Sequence, residues 1–88
     1  MKRQDVLAEA GRLISEDRAN QYGDAAKEFR KVANAWEEIL QCSIKTYEVA
    51  LMMAALKLVR AAYNPEHKDS WIDAIGYLAL GAEMAVPK

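Results

Sequence analysis

Four charged residues set among apolar neighbours are where this sequence could do chemistry: Lys57, Arg60, Asp69 and Asp73. Lys57 and Arg60 stand one helical turn apart in YEVALMMAALKLVRAAY, Tyr47 to Tyr63, whose only other charge is Glu48, so they project from nearly the same side of a helix. An unpaired cation in a buried surface is very costly. The two must therefore meet carboxylates of the same protein or a bound anion. Arginine suits bidentate phosphate recognition, and Asp69 and Asp73 could orient it or hold a metal. Three readings stay open: an ion-pair cluster that fixes helix register, a phosphate site, or a cluster at a subunit interface. Arg18 and Tyr22 lie in the polar stretch EDRANQYGD, residues 16 to 24. There a guanidinium and a ring could clasp a phosphate and a base, or could simply tie the loop to the body of the protein. His67, the sole histidine, sits between Glu66 and Lys68 and reads as a proton shuttle, a metal ligand or a solvated loop residue. Cys42 has no activating base beside it and reads as an ordinary helix-end residue.

The elements that must position these residues are helices. Val6, Leu7, Ala10, Leu13 and Ile14 fall at helical spacing and predict a first helix over about 3–16. Asp24 is a good N-cap for a second, over about 25–41, whose apolar set Ala25, Phe29, Val32, Ala33, Trp36, Ile39 and Leu40 should lie against the central helix. Thr46 is expected to cap that central helix, about 47–63, and Asn64-Pro65 to end it, Asn64 in the left-handed region. A helix so apolar nearly all round has to be surrounded. At roughly 25 Å, interrupted by two cations, it is too short for a membrane span. Asp69 or Ser70 would cap a last helix over about 70–86, with Trp71, Ile75, Leu78 and Ala82 on one face. Trp36 and Trp71 read as core or interface anchors. Gly76 and Gly81 reduce helix propensity there, for which a close helix approach is the usual reason. The short loop around Glu66 folds the last two helices into an antiparallel hairpin; counted from that fold, Arg60 comes opposite Asp73 and Lys57 opposite residues 75–77.

Eighty-eight residues make a single domain, 1–88, near the lower limit for a self-sufficient core, yet 52% are apolar. Intrachain packing should leave an apolar face uncovered, and a homodimer or larger closed assembly is the expected state. The formal net charge of −1 gives no general reason to expect nucleic acid or membrane as a partner. The lone cysteine and the absence of an apolar leader fit a reducing cytoplasm.

The last two helices also resemble a known signature. Asp73-Ala-Ile-Gly-Tyr-Leu-Ala-Leu is similar to the Asp-ending half of the MazG-like nucleotide pyrophosphatase motif. With the four helices and the uncovered apolar face, the expected fold is an all-α, four-helix, MazG-like antiparallel bundle completed by homo-oligomerisation; the likeness implies clustered carboxylates that hold magnesium for water to attack a nucleoside triphosphate. Aligned through Asp73, this chain has Ser70 where the second motif has Glu, and Leu56, Lys57 and Arg60 where the first has glutamates. Cations in those places supply anion donors instead of metal ligands. An alternative alignment uses Glu37-Glu38-Ile-Leu-Gln41 with Glu66-His-Lys-Asp69, which would make Glu37 and Glu38 metal ligands. Over most of the chain from Ser15 onward, a broader pattern is similar to a family of small phage and prophage proteins without an established activity. It comprises Arg18, Tyr22-Gly23, Phe29, Trp36, Lys57-x-x-Arg60, His67-Lys-Asp-Ser70 and Asp73-x-x-Gly76-Tyr77.

The leading expectation is a phage-type, self-associating helical protein, in host cytoplasm, that binds a phosphorylated nucleotide without hydrolysis and without a cofactor. Lys57 and Arg60 would contact phosphate, Asp69 and Asp73 would orient them, and Arg18 and Tyr22 would assist. The enzyme alternative is a magnesium-dependent nucleoside triphosphate pyrophosphatase. A third is an interaction protein whose apolar faces bind a host or phage partner, for instance to blunt a host defence.

Overall fold

The computed structural model describes residues 1–17 and 24–87, and every regular element in that range is helical. Helix α1 (Arg3–Arg12) continues into a five-residue π-helical turn, Leu13–Asp17; α2 is Ala25–Leu40, α3 Thr46–Tyr63 and α4 Lys68–Ala85. All four expected helices are present, and they make the expected all-α fold.

Helices α3 and α4 form the framework, joined by only residues 64–67. They run antiparallel: a Cβ built on Gly81 would lie 3.0 Å from Ala50 Cβ and 3.8 Å from the Tyr47 carbonyl oxygen, while Lys57 meets Asp73 nearer the turn. Small residues make this closeness possible. Ala50, Ala54 and Ala61 of α3 are buried, as are Ser70, Ala74 and Gly81 of α4. Helix α1 and the π-helical turn then pack on α4, where a Cβ on Gly76 would come 3.1 Å from Ile14 Cγ2 of that turn. Helix α2 packs on α3, burying Phe29 and Ala33 with Val49, Ala50, Leu80 and the loop residue Ile44. Phe29 and Tyr77 stack at 6.3 Å between centroids with a tilt of 34°, within the range of favourable aromatic pairs.

The helix ends differ in detail from the sequence expectation. Asp24 caps α2 as expected, its carboxylate accepting from Ala26 N at 2.9 Å. Helix α3 starts one residue early, with Lys45 rather than Thr46 as N-cap, because Glu48 Oε1 accepts the Lys45 backbone N–H at 2.8 Å and supplies the stabilisation expected of Thr46. Helix α4 is capped at His67 rather than at Asp69 or Ser70, which adds two residues to its start. The left-handed residue is Gln41, φ 56°, at the end of α2; Asn64 has φ −138°. The last turn of α2 leaves Ile39 and Leu40 exposed instead of packed on α3.

The largest departure concerns α3 itself, which is not surrounded. Leu51, Met52, Leu56, Leu58, Val59 and Tyr63 each keep between 39% and 88% of their surface in solvent. Substitutions at the glycines test the close packing. Gly81→Val, which forces α4 away from α3, should cost about 2 kcal/mol or more in urea unfolding. Gly11→Ala, where an added Cβ meets nothing within 4 Å, should gain up to about 1 kcal/mol. Equal effects at both would contradict this packing.

Candidate functional site

At the α3–α4 seam, Lys57 Nζ lies 3.1 Å from Asp73 Oδ2, with side-chain exposures of 17% and 34%. The ammonium is therefore largely withdrawn from water and already neutralised. Asp73 was expected opposite Arg60, but it pairs with Lys57 because α4 begins two residues early and the tight turn shifts the register toward the N-terminus of α3. Arg60 is left exposed, with neither ion pair nor side-chain hydrogen bond to the described residues. It lines a hollow of about 370 Å³ with Val59, Tyr63, Asn64, His67 and Ser70. Across the mouth of the turn, His67 Nδ1 and Ser70 Oγ share a hydrogen bond of 3.0 Å. Trp71 Nε1 donates to the Pro65 carbonyl at 2.9 Å and fixes the turn.

Asp69 belongs to another surface. With Asp5, Glu9, Arg12 and Lys68 it lines a charged groove of about 650 Å³ between α1 and α4. Arg12 there donates to both Glu9 carboxylate oxygens, at 2.6 and 3.2 Å. That hydrogen bond is the main cause holding the Glu9 carboxyl below its ordinary range. Lys57, Arg60, Asp69 and Asp73 thus do not converge. One ion pair forms, and the other two residues face separate hollows.

Glu37 has a structural task the sequence did not suggest. Its Oε2 accepts the Ile44 N–H at 2.7 Å and lies 3.5 Å from Arg30 Nη2, which donates to the Ile44 carbonyl at 2.8 Å. Two side chains of α2 thereby satisfy both backbone groups of a buried loop residue, groups that would otherwise be costly to bury. The clue available in the sequence was only the spacing of Arg30 and Glu37, two helical turns apart on one face. Glu38 is exposed, and its carbonyl accepts from Gln41 Nε2 at 2.6 Å. Among the described residues, no three histidine, cysteine, aspartate or glutamate side chains are placed to share a metal ion. A resident magnesium would thus have no ready carboxylate set among them. Arg18 and Tyr22 lie outside the described residues. Cys42 is free and exposed just past α2, and no helix of the described residues is long and apolar enough to cross a membrane.

With this geometry in hand, comparison with known proteins gives the family. Residues 5–85 match the family described as a domain of unknown function, DUF6378. The chain is 31% identical over 84 residues to the Gene 55 protein of Mycobacterium phage L5, covering 94% of this chain and 54% of that protein. To the Gene 55 protein of Mycobacterium phage D29 it is 32% identical over 74 residues, covering 84% and 49%. The chain belongs to the DUF6378 family, whose relatives here are phage proteins, as the broader sequence pattern implied. It spans about half the length of these curated relatives. No solved structure matches.

The Lys57–Asp73 pair can be tested as a register pin. Asp73→Ala strands a mostly buried ammonium and should lower stability by about 1–2 kcal/mol, discounted for its partial exposure. Lys57→Met, which keeps the packing and removes the charge, should cost less. Urea titration of both variants checks the order; a larger loss in Lys57→Met would contradict the assignment.

Proposed function

We propose that this protein works as an interaction module, with the outward face of the α3–α4 hairpin as its docking surface. One observation carries the reading: the large apolar side chains of α3 point outward while alanines fill its buried side. At 100° per residue, Leu51, Met52, Ala55, Leu58, Val59 and Ala62 fall within an arc of about 120°. No charged residue enters that arc from Leu51 to Tyr63. Trp71, Ile75, Leu78, Ala82 and Ala85 form a second uncharged stripe on α4, Trp71 and Leu78 well exposed. An exposed apolar stripe like that of α3 is uncommon on a free monomer and usually marks an interaction site.

The experiment is a sedimentation series with an apolar reporter dye. The chain should either sediment above its 9.9 kDa monomer mass or, as a monomer, bind the dye; Leu51→Glu with Leu58→Glu should abolish whichever is seen. A monomer that binds no dye overturns the reading.

A second reading keeps the phosphorylated nucleotide and moves its site. Arg60 has no partner among the described residues and shares its hollow with Tyr63, Asn64 and His67. A guanidinium suits a phosphate, a ring suits a base, and an amide suits a base edge. Lys57, neutralised by Asp73, would play no direct part. Calorimetric titration with nucleoside triphosphates and cyclic dinucleotides should then give heat that Arg60→Ala removes and Lys57→Met leaves; no heat from any of them would end this reading.

A further inference from the structure

We propose that the occupant of the α3 face is a second copy of this chain, with α3 lying antiparallel on its counterpart across a two-fold axis between Ala55 and Leu58. This rests on reading the hairpin face as a docking surface and names what docks there.

Area is the first argument. At ordinary side-chain areas, Leu51, Met52, Leu56, Leu58, Val59 and Tyr63 of α3 expose roughly 600 Å² per copy. Covering them on both copies reaches the ~1,200 Å² total at which specific interfaces begin. The second argument is the small size of the core. Among the described residues, the buried apolar side chains larger than valine are Phe29, Ile44, Ile72 and Leu80, and most buried positions on α3 are alanine. Domains of this size commonly need extra burial from oligomerisation, and a twin copy is the partner always present when the chain folds.

The third argument is self-complementarity. The stripe holds no charge to repel its own image, and exposed Ala55 near its middle lets the two helices approach, as the alanines on the buried side do toward α4. Leu58 of one copy then packs against Ala55 of the other and Leu51 against Ala62, and two hairpins close into a four-helix layer. The same patch serves both subunits, so the assembly stops at two.

Sedimentation equilibrium with site-directed cross-linking tests this. Wild-type protein should run as a dimer of twice the 9.9 kDa chain mass, and Leu58→Glu should weaken it about 100-fold with helicity by circular dichroism retained. In a Cys42→Ser background, Ala55→Cys should become a disulfide-linked dimer on mild oxidation, whereas Lys31→Cys, exposed on α2, should not. A wild-type monomer that still binds the apolar dye overturns the second-copy proposal and leaves the docking surface standing. A monomer that binds none removes both. A dimer in which Ala55→Cys fails to cross-link, or an open polymer, overturns the arrangement proposed here.

Discussion

The contact on which the rest of the structure depends is the close approach of α3 and α4, with Gly81 seated against Ala50. Only small side chains permit it, and the sequence supplies them along the inner side of both helices. Ridges of alanine and glycine interlock at short separation, so many weak dispersion contacts accumulate in a narrow seam. With Ala50, Ala54 and Ala61 in the seam, α3 carries Leu51, Met52, Leu58 and Val59 on the far side. The exposed apolar face is thus a consequence of how the hairpin closes.

The same seam governs the charges. A tight turn at residues 64–67 sets the register, and that register decides which cation meets Asp73. Two residues of difference turn a possible four-charge pocket into a single neutralised pair at Lys57, with Arg60 released to the hollow at the turn and Asp69 to the groove against α1. The acidic alternative fails to assemble for a related reason: Glu37 is occupied with Ile44, and Glu38 faces outward. Periodicity of 3.6 residues read the four helices, the hairpin and the close approach at Gly76 and Gly81 directly from the chain, because those signals are local or depend on residue size. What it could not read was helix registration to within two residues, since loop length around Pro65 depends on whether His67 or Asp69 caps α4. Nor could it tell which face of an all-apolar helix turns inward; Leu58 and Ala54 both count as apolar, and only the spacing between helices separates them. The Arg30–Glu37 clasp on Ile44 needed the loop's return path, which no spacing encodes.

Membership in DUF6378 and the phage relatives set this chain beside proteins about twice its length. The nucleotide reading and the assembly reading use different sides of the same hairpin, the turn in one case and the outer stripe in the other. They meet at Val59, which lines the hollow at the turn and belongs to the outer stripe.

Small-angle X-ray scattering measures the central claim most directly, since it reports the size of the particle in solution without any substitution. A single chain has a Cα radius of gyration of 13.6 Å, and doubling the residues of a compact particle raises that to about 18 Å. A value near 18 Å that falls toward 13.6 Å on dilution is the result expected of paired α3 faces, and a value of 13.6 Å at every concentration would contradict it.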